Sequence, residues 1–216
     1  MPTISIIMSF YKPSTKSYFV FEKAVENILN QSFTDFEFLI FDDHGEDTRA
    51  IEFIKSITDS RVRFEQFKEN SDHRPALRYN YGVEQAKGDY IFYAFEDDVV
   101  DRDALLHLHE SLTTANADFS YGQTIIHTEN GKLTFGRSGT LDQIMKFNFI
   151  PNNLILHKRS IVDEIGYQDS SKENNQDCDW KYWQKMMQHG YKGVFAPQAL
   201  GEVFGPIFKT NLRKGK

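Results

Sequence analysis

The chain has 216 residues and a formal charge of −6 at neutral pH. That is length enough for one sizeable α/β domain, and an acidic balance speaks against a sequence-independent nucleic-acid binder, which is normally basic. The single cysteine, Cys178, excludes an internal disulfide framework and a multi-cysteine zinc site and fits a reducing compartment. No run approaches ~18 consecutive apolar residues and the first residues lack a signal-peptide pattern, so a cytoplasmic protein without a membrane span is expected.

In chain order, Ile4-Ser5-Ile6-Ile7-Met8 reads as a buried strand that leaves through the loop Ser9-Phe10-Tyr11-Lys12-Pro13. The spacing of Tyr18, Phe21, Val25, Ile28 and Leu29 predicts a helix over 17–30. A second buried strand, 36–41, runs into Asp42-Asp43-His44-Gly45, which is either a strand-to-helix turn with an N-capping acid or a recognition loop. The next helix carries Ile51, Ile54 and Ile57 on one face, and 61–65 alternates as an edge strand does. After the polar loop 68–74 a helix is expected over 75–86, with Gly88 as its C-cap. Strand and helix alternating three times is the mark of parallel βαβ units.

Residues 90–95 form the next apolar run, and it stops in three consecutive acids, Glu96, Asp97 and Asp98. Like charges crowded at the end of a buried strand raise one another's pKa and are costly to desolvate. A divalent cation removes that penalty, and Mg²⁺ or Mn²⁺ is commonly held by one or two carboxylates plus substrate phosphates. In open α/β sheets such ligands lie beyond the carboxyl ends of the strands. The alternative is a solvated turn that caps a helix beginning near Asp101.

That helix, 101–113, presents Leu105, Leu108 and Leu112 on one face. An alternating strand over 118–127 meets a turn at Asn130-Gly131 and returns over 133–137. Residues 139–153 lack a regular pattern; a strand over 154–157 and a short helix over 159–164 ending at Gly166 follow. Beyond the polar stretch 169–176, Asp177 opens an amphipathic helix whose Trp180, Trp183 and Met187 share a face. A carboxylate there is steadied by the helix N-terminus and either caps the helix or removes a proton from a hydroxyl as a general base. Asp179 is the alternative base, and Cys178 reads as structural. A last strand is expected over 191–196, and the tail 201–216 ends in Lys209, Arg213, Lys214 and Lys216, read as a frayed terminus or linker rather than a clamp for a diphosphate. His127 and His157 are each available as a third metal ligand.

Several of these stretches, in order, resemble the family 2 glycosyltransferases of the GT-A fold, and among them the bacterial spore-coat polysaccharide type. They are Thr3-Ile4-Ser5-Ile6-Ile7-Met8 with Tyr11, Asn30-Gln31-Ser32-Phe33 with Asp35-Phe36-Glu37, Asp42-Asp43, Arg61-Val62-Arg63-Phe64, Gly88-Asp89-Tyr90-Ile91 and the acid cluster. The resemblance covers roughly residues 2–110 and resumes over 150–190. It implies one GT-A domain over 1–216: a Rossmann-like nucleotide-binding half with a mixed central sheet (1–100), a smaller acceptor and catalytic-base half (101–200) and a basic tail (201–216). It also implies an inverting enzyme that uses Mn²⁺ or Mg²⁺ to move a sugar from a UDP-sugar to the hydroxyl of a glycan or other acceptor.

Carried over position by position, the resemblance has Tyr11 stack on uracil, helped by the backbone around Ser9, and Asp43 accept from the uracil N3–H. Glu96 would contact the ribose, and Asp97, or Asp98 in the competing register, would hold the metal. Arg74 or Arg78 would face the nucleotide, Asp177 would be the catalytic base, and 130–175 would read the sugar and the acceptor. The departures are Phe95-Glu96, where many members have Asp or small residues, and Gln176 in place of the usual acid before the base. Two rival classes share some of these features: a nucleotide-sugar-binding module without turnover, and a transferase acting on modified DNA bases, whose basic groove the acidic balance does not favour.

Overall fold

The computed structural model describes residues 1–11, 18–128 and 131–204. Its first half alternates as expected: β1 (Ile4–Phe10), α1 (Tyr18–Leu29), β2 (Phe36–Asp42), α2 (Thr48–Ser56), β3 (Val62–Gln66), α3 (Pro75–Gln85) and β4 (Tyr90–Phe95). There follow β5 (Asp98–Val100), α4 (Ala104–Thr114), β6 (Phe119–Thr128), β7 (Gly131–Phe135), α5 (Leu141–Ile144), β8 (Ile155–Lys158), α6 (Ser160–Ile165), α7 (Cys178–Gln188) and β9 (Gly193–Phe204).

Side chains on a strand alternate between faces, so a strand covered on both sides reads as an unbroken apolar run. Ile4, Ile6, Met8 and Phe10 of β1 join Phe38, Ile40, Phe92 and Ala94 in one cluster, closed by α1, α2 and α4. Ile7, Leu39, Phe41, Ile91 and Tyr93 enter the cluster on the other face, closed by α3, α6 and α7. The strand order is β3-β2-β1-β4-β8-β6-β9-β5, with β7 paired to β6. β3, β2, β1 and β4 are mutually parallel, whereas β8 is antiparallel to β4 and to β6, which makes the sheet mixed. The chain steps from β1 outward to β2 and β3, with helices on one face, then returns to the far side of β1 through α3 on the other. Such a reversal opens a crevice beyond the strand ends. The register pairs Ser9 with both Phe41 and Phe95, so β2, β1 and β4 finish side by side at that crevice.

The structure corrects the sequence expectations at several points. The three acids do not cap a helix: β5 intervenes, α4 starts at Ala104, and the turn before it is closed by Asp101 Oδ1, which accepts from the Asp103 N–H (2.9 Å). The C-cap of α3 is Ala86. Gly88 is required instead by close approach, since a Cβ there would lie 2.6 Å from the Ser5 nitrogen. Its N–H donates to Ser5 Oγ (2.8 Å), Ser5 Oγ donates to Glu37 Oε1 (2.7 Å), and Arg63 donates to Glu37 Oε2 (3.1 Å), a brace at the amino ends of the strands. The stretch 139–153 contains α5, where Gln143 Oε1 accepts from the Thr140 N–H (3.1 Å). β9 runs on to Phe204 because its second half pairs with β6 on one side and β5 on the other. The first four residues of the expected tail, 201–204, belong to β9, while Lys12, Pro13, the hairpin residues Glu129 and Asn130 and residues 205–216 lie outside the described residues.

His157 is corrected as a metal ligand. It is fully buried, with Nδ1 donating to the Lys158 carbonyl (2.9 Å) and Nε2 accepting from the Tyr93 hydroxyl (3.0 Å), so both ring nitrogens are engaged. Burial keeps the imidazole neutral and pulls its pKa down to about 4.

Two outcomes follow from this packing. Gly88→Ala should lower stability by about 1–3 kcal/mol, because backbone at Ser5 has to move; an unchanged urea midpoint would contradict the close approach. An unfolded histidine takes up a proton that His157 cannot, so this contribution to stability is whole above the ordinary value of 6.5 and is lost as the pH falls toward 4. The loss is up to about 3 kcal/mol across that window. His157→Gln should flatten it, as read by urea titrations near pH 7 and near pH 5; an acid sensitivity equal to that of the unmodified protein would contradict it.

Candidate active site

A cleft of about 320 Å³ opens where β1, β2 and β4 end. Ser9, Phe10 and Tyr11 form its floor, Asp43 and Ser71 one wall, and Phe95, Glu96 and Asp97 the other, with Asn70, His73, Pro75 and Tyr79 closing the side. Five of the nine residues given a site role from the sequence thus meet in one hollow, Ser9, Tyr11, Asp43, Glu96 and Asp97, whereas Arg74, Arg78, Asp98 and Asp177 are not among its lining.

The two acids that end β2 divide their work. Asp42 closes the turn, its Oδ1 accepting from the Gly45 N–H (2.8 Å). Asp43 turns to the cleft, and its own N–H donates to the Phe10 carbonyl (2.9 Å), joining the two strand ends. Its carboxyl accepts from the Ser71 N–H (2.8 Å), from Ser71 Oγ (2.6 Å) and from Arg78 Nε (2.6 Å). Left-handed backbone at His44 and Glu46 (φ 56° and 55°) and at Asp72 and His73 (φ 54° and 59°) follows each side of this contact. Non-glycine residues there cost on the order of 1–3 kcal/mol each and persist where surrounding contacts over-determine them.

Neither arginine lines the cleft. Arg78 stands behind Asp43 with its guanidinium 3.7 Å from the Phe67 ring centre, and Arg74 donates to the Ser71 carbonyl (3.1 Å). Ser71 escaped the sequence reading because it sits in a polar loop 28 residues from its partner. The available signal was β3, whose end pairs Gln66 with Asp42 and so delivers the following loop to the same rim.

On the opposite wall Glu96 Oε2 accepts from the Tyr11 N–H (2.8 Å). Burial, together with the charges of Asp97, Asp42 and Asp43, nevertheless pushes Glu96 up to about 8. Burial raises Asp97, and burial plus the charge of Asp97 raises Asp98 well above the usual range, against a lowering by the Asn153 amide. Asp98 begins β5 and is not among the residues lining the cleft. Adjoining carboxylates in this condition are an all-oxygen donor set that fits a hard divalent cation. Among the described residues no three His, Cys, Asp or Glu side chains gather into a cage, so a cation here would complete its shell from substrate and water. His127 Nε2 pairs with Glu202 (2.8 Å).

Asp177 occupies the N-cap position of α7, and its side chain makes no cap hydrogen bond, so it does not serve as the capping acid. It is not part of the cleft lining. Tyr79 lines the cleft, its hydroxyl donates to the Ala94 carbonyl (3.2 Å), and burial first, then the charges of Glu96, Asp97 and Asp98, raises its pKa. Cys178 is buried, and burial first, then Asp179, pushes its thiol up to about 11, which suits a structural residue. Burial also raises Asp179. The side chain of Gln176 lies outside the described residues.

A model of the family described as Glycosyl transferase family 2 matches residues 5–178. The poly(ribitol-phosphate) beta-N-acetylglucosaminyltransferase TarP of Staphylococcus aureus is 31% identical over 126 residues, 57% of this chain and 37% of that protein. The GalNAc(5)-diNAcBac-PP-undecaprenol beta-1,3-glucosyltransferase of Campylobacter jejuni is 29% identical over 140 residues, 64% of this chain and 43% of that protein. The match spans about two fifths of the length of these two relatives and of an uncharacterized glycosyltransferase of Haemophilus influenzae. Among solved structures, S. aureus TarS superposes with a TM-score of 0.75 at 15% identity over 94% of this chain and 37% of that one. The mannosyltransferase PcManGT of Pyrobaculum calidifontis, in complex with GDP-Man and Mn²⁺, gives 0.70 at 15% identity over 96% and 58%. The chain belongs to family 2 of the glycosyltransferases and has the GT-A fold.

Proposed function

We propose that this chain is the catalytic domain of an inverting, metal-dependent glycosyltransferase that moves a sugar from a UDP-sugar to the hydroxyl of a glycan or other acceptor. The observation that carries the reading is the cleft in which Tyr11, Asp43, Glu96 and Asp97 meet at adjoining strand ends. TarS solved with UDP and with UDP-GlcNAc, and PcManGT solved with GDP-Man and Mn²⁺, support a nucleotide-sugar donor and a divalent cation.

Tyr11 is 38% exposed and offers a ring for the uracil to stack on, with the Ser9 backbone beneath. Asp43 has roughly four lone-pair sites, and three are taken by Ser71 and Arg78. The remaining site suits the N3–H of a pyrimidine dione and opposes a cytosine, whose N3 is itself an acceptor. Arg78 acts on the nucleotide through Asp43, and Arg74 through the Ser71 carbonyl. Glu96 keeps Oε1 for the ribose while Oε2 holds the Tyr11 N–H. Asp97, followed by Asp98, would hold Mn²⁺ or Mg²⁺. When bound, such a cation supplies Lewis-acid stabilisation of the charge that builds on the leaving diphosphate. Asp177 takes the proton of the acceptor hydroxyl as that oxygen bonds to the anomeric carbon. The bond from the same carbon to the diphosphate oxygen breaks on the opposite face, UDP departs with the electron pair, and the configuration inverts.

Asp177→Asn should lower Mn²⁺-dependent turnover of the UDP-sugar by on the order of 10²–10⁴ while leaving its calorimetric affinity nearly intact; loss of binding instead would assign Asp177 to the donor site. Asp97→Ala should make UDP affinity the same with and without Mn²⁺, and a cation enhancement retained in that variant would contradict the metal assignment.

A further inference from the structure

Among the described residues, the segment that leads to Asp177 meets the wall that carries Asp43 through three contacts at residues 72, 74 and 80. Lys172 pairs with Asp72, Arg74 Nη1 donates to the Ser170 carbonyl at 3.4 Å, and Asn80 bonds Gln168 twice. In that last contact Nδ2 donates to the Gln168 carbonyl (2.8 Å) and Oδ1 accepts from the Gln168 N–H (3.2 Å). The three ties differ in weight. Lys172 and Asp72 are exposed, and exposed ion pairs contribute little. The Arg74 contact is at the outer limit of a hydrogen bond. Asn80 satisfies both backbone groups of one residue with a planar amide, as a neighbouring strand would, and Gln168 is 6% exposed, where a missing partner leaves polar groups unsatisfied.

Asn80 belongs to α3, the helix whose Pro75 and Tyr79 line the cleft and whose Arg78 holds Asp43. On the other side, Gly166 (φ 76°) ends α6 two residues before Gln168, and the Tyr182 hydroxyl of α7 donates to its carbonyl (3.0 Å). The stretch from Gly166 to Asp177 is thus tied to α7 at its start and to α3 at Gln168.

We propose that Asn80 is a positioning residue for sugar transfer: its paired hydrogen bonds to the Gln168 backbone register the segment bearing Asp177 against the helix that holds the nucleotide-reading Asp43. The proposal rests on Asp177 being the base, yet the clasp has a readout of its own. The unmodified chain is compared with Asn80→Ala and with Asn80→Asp, which keeps the size and the acceptor but removes the donor. In Asn80→Ala, amide exchange over 168–177 should accelerate about tenfold or more, with a smaller change in Asn80→Asp and none across β1, β2 and β4. UDP affinity and the KM for UDP-GlcNAc should hold within about threefold while kcat for its Mn²⁺-dependent turnover falls by on the order of 10²-fold, the cost of a misplaced base. Exchange over 168–177 equal to that of the unmodified chain in both variants would overturn the proposal. So would parallel loss of UDP affinity and of protection throughout α3, which would make Asn80 a general support of the helix. Failure of the base assignment looks different: Asp177→Asn would turn over normally while the exchange result stood.

Discussion

The structure turns on what it takes to keep carboxylates crowded and partly out of water. Glu96, Asp97 and Asp98 follow β4, and Asp42 and Asp43 end β2, with the end of β1 between them. Burial disfavours the charged form of each acid after β4, and neighbouring charges add to it at Glu96 and Asp98. Local neutralisation is uneven across the rim. Asp43 has a guanidinium and Ser71, Asp42 has the Gly45 N–H, and Glu96 has the Tyr11 N–H. Among the described residues, Asp97 has only its own backbone N–H and Asp98 the Asn153 amide, so neither has a cationic partner to offset its burial.

The sheet makes that arrangement rigid. Parallel strands with apolar clusters on both faces fix the relative heights of Tyr11, Asp43 and Glu96, and the Ser5–Glu37–Gly88 brace fixes the opposite ends of the same strands. The other half of the molecule is held differently. α5 hangs on α7 through Trp180 Nε1 and Gln184 Nε2, both donating to the Ile144 carbonyl (2.7 and 3.1 Å), and leaves Leu141, Met145 and Phe147 exposed. One half is thus built from strand ends and the other from short helices on side-chain tethers.

Much of the cleft at the strand ends was legible in the sequence because its signals are local. A nearly unbroken apolar run identifies a doubly covered strand, as β1, β2 and β4 show, and acids at the end of such a run, as in β2 and β4, mark the end that faces the cleft. What stayed hidden depends on distant contacts. Ser71 and Arg78 matter through Asp43, 28 and 35 residues away, and the clasp of Asn80 on Gln168 spans 88. β5 is three residues long, and β9 is interrupted by Pro197 and Gln198, so neither shows a periodic pattern of its own. Gly88 is a lesson in degeneracy: a glycine after a helix suggests a C-cap, and here the same residue answers to a passing backbone.

The most direct measurement is calorimetric titration of the unmodified chain with UDP, with and without Mn²⁺. If the acids beyond β4 complete a cation site with a diphosphate, UDP should bind markedly tighter when Mn²⁺ is present, and Mn²⁺ should bind weakly without the nucleotide. Equal affinity for UDP in both conditions, or no binding in either, would contradict the central claim.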